Sequence, residues 1–233
     1  MGVVSFQTQN SCILIPCYNE AEVLTATLLE LKNYSLNAKI LVCDDGSSDD
    51  SARIARACGA EVLQLPHRGL GATIRAGLQK ALEYQADFIV TLDADGQYHP
   101  KGIAALLEPL HTGQADVSLG QRDQSSLEQR TRIRRIFHSV STLAMRLATK
   151  IPLHDAGTGF RAYTRAIAAK LEIESDYDHT AETLIQLRKV RVALIPIEAR
   201  FTLRASKLVT NSFIHAIKEV SLFIKALWRY GMP

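Results

Sequence analysis

Asp93 and Asp95 stand one residue apart in Leu92-Asp93-Ala94-Asp95-Gly96-Gln97, directly after the apolar run Phe88–Leu92. Two carboxylates beside a buried strand are costly unless something cationic meets them. A hard divalent cation, Mg²⁺ or Mn²⁺, answers that need, because it takes carboxylate oxygen and keeps phosphate oxygens and water as its other ligands. Such a cation would clamp a diphosphate and neutralise its charge as it leaves. Gln97 adds a neutral oxygen, so Asp93, Asp95 and Gln97 form the candidate metal set. An acidic turn without a ligand has the same local pattern, since Asp-x-Asp recurs by chance.

Two further polar segments follow apolar runs: Pro16-Cys17-Tyr18-Asn19-Glu20 and Asp44-Asp45-Gly46-Ser47-Ser48-Asp49. Asp45 is placed to accept hydrogen bonds from a base or ribose, or to cap the next helix with Asp44, Ser47 and Ser48. Tyr18 offers an apolar wall to a base and Glu20 an acceptor; the alternative is a strand-to-helix turn in which Glu20 favours the helix N-terminus. Opposite charge comes later. From Arg122 to Arg165 there are nine Arg or Lys residues against Asp123, Glu128 and Asp155, which suits an anionic ligand or membrane surface. Arg122, Arg134 and Arg135 are suited to bidentate phosphate contacts. Lys207 follows Arg200 and Arg204. Any one of them alone reads more readily as a surface charge.

The elements that must position these groups alternate. Cys12–Ile15, Lys39–Cys43, Glu61–Leu65, Phe88–Leu92 and Val117–Leu119 read as strands. Between them Ala21–Lys32, Asp49–Cys58, Ala72–Tyr84 and Pro100–His111 read as helices, with Ser47 and Ser48 as cap candidates and Gly59 as a stop. This rhythm implies an α/β fold: a Rossmann-like, mostly parallel sheet flanked by helices. Its ligands bind beyond the carboxyl ends of the strands, so the three polar segments should converge on one sheet edge. After residue 121 the pattern changes. A basic connection leads to a helix at Ile133–Thr149, then Asp155-Ala156-Gly157-Thr158-Gly159-Phe160-Arg161. A short helix from Ala166, a helix at Ala181–Lys189, a strand at Ala193–Ile197 and an amphipathic C-terminal helix at Ser212–Arg229 complete the chain.

The 233 residues suffice for one large domain, read as a nucleotide-binding part at 11–121, an acceptor-binding part at 122–211 and the helix at 212–233. A net charge of +3 does not argue for nucleic acid. Cys12, Cys17, Cys43 and Cys58 form no zinc pattern, and Cys12 and Cys43 read as core residues. A reducing, cytoplasmic setting is expected, without a signal peptide or a bilayer-spanning run, and with peripheral membrane contact open.

Together these segments resemble family 2 glycosyltransferases of the GT-A fold, within them the dolichyl-phosphate mannose synthase-like, polyprenyl-phosphate group. The resemblance runs from Ile13 to about Val209. It rests on Ile15–Glu20, Val42–Asp49, Leu92–Gln97, Gly120-Gln121-Arg122, Arg134-Arg135-Ile136-Phe137-His138-Ser139, Asp155 with Gly159-Phe160-Arg161, and Ser206-Lys207. Two departures stand out. Gly120-Gln121-Arg122-Asp123 replaces the usual Gly-Ser-Arg-Tyr. The late loop, usually Arg-x-x-Gly-x-Ser-Lys, has Phe201 in the Arg position and Arg204 in the Gly position, with Arg200 or Arg204 as substitute cation.

The resemblance implies that Asp93, Ala94, Asp95 and Gln97 hold the metal and sugar-nucleotide diphosphate, while Pro16, Tyr18, Glu20 and Asp45 contact the nucleoside. It implies that Lys207, with Arg204, closes over the donor, and that Arg122, Arg134 and Arg135 bind an acceptor phosphate. The expected reaction is inverting transfer of a hexose from GDP-mannose or UDP-glucose to a polyprenyl or dolichyl phosphate. An anionic acceptor needs no strong base, so positioning and charge neutralisation remain. Asp95, Arg122, Arg135 and Asp155 are the candidate catalytic set. Asp155 either orients acceptor or sugar, or forms a structural salt bridge to Arg161 or Arg135. A hydroxyl acceptor with Asp155 as base is the nearest alternative, and a non-catalytic sugar-nucleotide-binding protein the next. A separate membrane subunit and a homodimer are the other partners considered.

Overall fold

A computed structural model describes residues 10–34, 37–122, 132–177, 179–200, 221 and 223–231. Five strands and four helices alternate first: β1 Ser11–Cys17, α1 Ala21–Asn33, β2 Lys39–Asp44, α2 Ser51–Ala57, β3 Glu61–Gln64, α3 Leu70–Glu83, β4 Phe88–Thr91, α4 Gly102–His111 and β5 Val117–Arg122. Then come α5 Arg132–Thr149, β6 Arg161–Thr164, α6 Arg165–Ala168, α7 Thr180–Gln186, a 3₁₀ turn at Leu187–Lys189 and β7 Val192–Ile197. The seven strands form one sheet in the order β3-β2-β1-β4-β6-β5-β7.

Every residue of β1 is buried, as a central strand covered on both faces requires. Its side chains alternate between two cores. Cys12 and Leu14 join Leu41, Cys43 and Ile89 beneath α3, α5 and α7. Ile13 and Ile15 join Val42 and Val90 beneath α1, α2 and α4. Burial pushes the thiols of Cys12 and Cys17 up to about 12, which leaves them as inert packing groups. Helix α3 lies close on the sheet because residue 77 is glycine: a Cβ there would come within 2.5 Å of Leu14 Cδ1.

Sequence and structure differ at several places. Strand β5 continues three residues past Leu119 to Arg122. Helix α2 starts at Ser51 rather than Asp49, so Ser47 and Ser48 are not its caps; they bond Asn19 instead. The expected helix at Ala181–Lys189 tightens into a 3₁₀ turn after Gln186. Strand β6 was not expected at all. It is four residues long and runs antiparallel to both β4 and β5. Its first residue is a wholly buried arginine, which gives no apolar alternation to read. Of the expected C-terminal helix, 212–220 and 222 lie outside the described residues; a π-type turn at Leu227–Gly231 ends the described chain.

Candidate active site

Strands β2, β1 and β4 are neighbours and parallel, so their carboxyl ends share one edge. Thr91 pairs with Arg161 and Leu119 with Arg161, which brings the start of β6 and the end of β5 to that same edge. The three polar segments therefore converge as their positions predicted, and Arg122 arrives beside them. Asn19 ties two of the loops together. Its backbone is left-handed, with φ 54°, and its Oδ1 accepts the Ser48 and Asp49 N–H groups. Short polar side chains tolerate that conformation best.

Asp93 and Asp95 follow β4 and are both partly buried. Burial, with the charge of Asp95 second, pushes the Asp93 carboxyl up to about 7, against the opposing pull of Arg122 and Arg161. Burial also raises Asp95, while the Gln97 N–H, at 3.0 Å from Oδ1, and Arg122 oppose the rise. Asp93 can occupy this place because residue 159 is glycine. A Cβ at Gly159 would lie 2.6 Å from Asp93 Oδ1 and 2.7 Å from Oδ2. Ala94 is buried, and its carbonyl accepts the Thr27 hydroxyl at 3.3 Å. The Gln97 carbonyl accepts the Arg200 N–H at 2.7 Å.

Two crowded carboxylates with raised affinity for protons suit a divalent cation. Among the described residues no three His, Cys, Asp or Glu side chains cluster to hold a metal by themselves. Asp93 and Asp95, with Gln97 two residues on, are the candidate ligands, and phosphate oxygens and water would complete a hard-cation shell.

On the nucleoside side the roles divide. Pro16 is buried within β1, paired with Cys43, and is not in the loop. Glu20 opens α1, its carbonyl accepting the Val23 and Leu24 N–H groups. Tyr18 is 41 % exposed, one face stacked on His67 with ring centroids 4.2 Å apart. Asp45 is buried and committed locally. Its oxygens accept the Arg68 N–H at 2.9 Å, the Gly69 N–H at 3.0 Å and the His67 ring at 2.8 Å. Rather than capping α2, it fixes the loop after β3.

Arg122 is also committed. Its guanidinium makes two hydrogen bonds to Asp155, through Nε to Oδ2 and through Nη2 to Oδ1. Asp155 Oδ1 further accepts His138 Nε2 at 2.8 Å and the Gly157 N–H at 3.0 Å. Burial alone would raise this carboxyl; the bonds from Arg122 and His138 more than offset it and hold it well below the usual carboxylate range. Asp155 thus pairs with Arg122 and His138, not with Arg161 or Arg135. An ionised, wholly buried carboxylate so engaged is a poor base. Arg122 keeps three N–H donors for another ligand.

Arg135 is exposed on α5. The side chain of Arg134, together with Arg204 and Lys207, lies outside the described residues. Arg200 is not a spare cation, because it makes two hydrogen bonds to Glu30. Three residues of the edge were assigned no role in sequence: His67, His138 and Gly159. His67 could have been found by inspecting the loop after β3 as closely as those after β1, β2 and β4. Arg161 gives its Nε to the Thr158 carbonyl and Nη1 to Thr183 Oγ1, with Nη2 unbonded among the described residues.

The family model described as glycosyl transferase family 2 matches residues 12–172. A polyprenol monophosphomannose synthase of Mycolicibacterium smegmatis is 28% identical over 72% of this chain and 66% of its own. A UDP-N-acetylglucosamine–dolichyl-phosphate N-acetylglucosaminyltransferase of Methanococcus voltae is 26% identical over 87% of this chain and 90% of its own. A glucosyl-3-phosphoglycerate synthase of Mycobacterium tuberculosis, solved with Mn²⁺, UDP-glucose and phosphoglyceric acid, superposes with a TM-score of 0.70 at 19% identity. That superposition covers 96% of this chain and 80% of the other, and it shows a shared fold.

Proposed function

Because the chain belongs to glycosyl transferase family 2 and has the GT-A fold, we propose that it moves a hexose from a nucleoside-diphosphate sugar to a polyprenyl phosphate, with inversion. The observation that carries this reading is Arg122, seated at the sheet edge beside the Asp93–Asp95 pair and held by Asp155. The names of the two relatives, both transferases onto or synthases of polyprenyl-type phosphates, support the lipid acceptor.

Asp93, Asp95 and Gln97 would hold a divalent cation, which when bound supplies positive charge to the departing diphosphate. The Mn²⁺ in the solved neighbour supports this choice. Tyr18 and the loop fixed by Asp45 would flank the nucleoside. The three uncommitted N–H donors of Arg122, with Arg134 and Arg135, would orient the acceptor phosphate for attack on the anomeric carbon. One phosphate oxygen forms the new C–O bond as the bond to the nucleoside diphosphate breaks. No protein base is required, since the attacking oxygen is already anionic. Asp155 serves by positioning Arg122. Its commitment to Arg122 and His138 disfavours the hydroxyl-acceptor alternative, in which it would be the base.

The test incubates the full chain with GDP-mannose, UDP-glucose or UDP-N-acetylglucosamine, a polyprenyl phosphate, and Mg²⁺ or Mn²⁺. Mass spectrometry should find one lipid-linked sugar phosphate, dependent on the cation. Transfer solely to hydroxyl acceptors, or no transfer from any donor, would reject the reading.

A further inference from the structure

Helix α5 is turned the unusual way round. Among its described side chains Thr142, Met145 and Thr149 are the buried ones, at 6 %, 6 % and 1 % exposure. Ile136, Val140, Leu143 and Leu147 form a stripe at helical spacing and are 64 %, 60 %, 54 % and 73 % exposed; Phe137 adds its ring at 45 %. A contiguous apolar stripe of this kind marks an interaction surface. The remaining composition says what it fits. The 18 residues of α5 contain no Asp or Glu but include Arg132, Arg134, Arg135 and Arg146, and Lys150 follows directly. An apolar face on a helix whose charged residues are all cationic is the pattern of a helix lying in an anionic bilayer surface.

We propose that α5 docks on the surface of an anionic phospholipid bilayer through Ile136, Phe137, Val140, Leu143 and Leu147. At about 1.5 Å per residue the helix is ~27 Å long, enough to lie along the interface over five turns. No helix among the described residues is long and apolar enough to cross a membrane. The contact rests on the proposed lipid acceptor for its purpose. A cavity of about 260 Å³ lies under the same helix, lined by Arg122, His138, Ser139, Leu143, Arg146 and Leu153 among others. Leu143 belongs to both the stripe and the cavity. A lipid phosphate could thus enter beside the helix and reach Arg122 while its hydrocarbon stays in the bilayer.

The experiment is flotation of the full chain with phosphatidylcholine vesicles, with or without about 30 mol % phosphatidylglycerol. The comparison is a Val140→Glu/Leu147→Glu variant, whose two side chains are exposed and lie outside the cavity. The wild type should float with anionic vesicles, and the variant should bind at least about tenfold more weakly with an unchanged far-ultraviolet spectrum and melting temperature. Failure of the wild type to float, or equal flotation of the variant, would overturn the proposal. So would a wild-type dimer in sedimentation that dissociates in the variant, because the stripe would then face a second copy. Flotation uses no substrate. Failure of the lipid-acceptor reading is scored separately, by transfer to a short, water-soluble polyprenyl phosphate, which the variant should use as well as the wild type.

Discussion

Replacing Asp155 with alanine removes the partner of a cation that has little access to water, Arg122 being 8 % exposed. Four hydrogen bonds disappear, two of them from the guanidinium. Charge-assisted bonds contribute about 1.5–3 kcal/mol each, but both charges also lose solvation on burial. Breaking one half of a buried pair therefore costs about 3–5 kcal/mol. For a chain of this size that corresponds to a fall in melting temperature of roughly 6–20 °C, at about 2–4 °C per kcal/mol. Arg122→Met should cost a similar amount, since it strands Asp155. The double variant Arg122→Met/Asp155→Ala should be more stable than the sum of the singles implies, with a coupling free energy of about 2–3 kcal/mol in a urea double-mutant cycle. The pH dependence has a definite sign. Asp155 has a folded pKa below its unfolded value of 3.8. Its contribution is thus present above 3.8 and is lost as pH falls through the lower folded value. The gap between wild type and Asp155→Ala should close in acid. Additive singles, with a gap unchanged at low pH, would refute the view that this pair is a coupled buried unit.

Asp93 behaves oppositely. The folded state binds its proton more tightly than the unfolded chain, so stability falls as pH rises from 3.8 to about 7. In metal-free buffer Asp93→Asn should therefore stabilise the protein by on the order of 1–2 kcal/mol above neutrality and not near pH 4, while abolishing transfer; calorimetry at the two pH values checks this. Gly159→Ala drives a methyl group to 2.6 Å from the Asp93 carboxylate. Activity should fall by about 10–100-fold with a weaker response to added Mn²⁺ or Mg²⁺, measured by titrating the cation. Asp45→Ala releases three hydrogen bonds to the 67–69 loop. The donor KM should rise by about tenfold, more than kcat falls, and amide exchange at 67–69 should quicken.

What was legible in sequence was whatever repeats locally. The helix α1 and the strands β1 to β4 were read to within two residues because side-chain alternation and helical spacing are properties of neighbouring positions. The location of the acidic loops at one edge followed from the parallel order of those strands. The pairing of Arg122 with Asp155 was not legible: it spans 33 positions, and Arg161 and Arg135 were nearer candidates along the chain. Arg161 could not be recognised as a strand residue, since a buried arginine carries no hydrophobic signal. The periodicity of α5 was visible, but periodicity does not say which face looks outward. The ordinary expectation, apolar side in, is reversed there.

The antiparallel strand β6 separates β4 from β5 in the sheet. Neighbouring strands lie about 4.8 Å apart, so the backbones that end in Asp93 and Arg122 are held about 9–10 Å from each other. On the proposed reading, one backbone carries the charge that meets the leaving diphosphate and the other the charge that meets the incoming phosphate. The inserted strand then acts as a ruler. It fixes a gap that a single sugar ring and its two bonded oxygens can bridge, and it does so with backbone hydrogen bonds rather than with adjustable side chains.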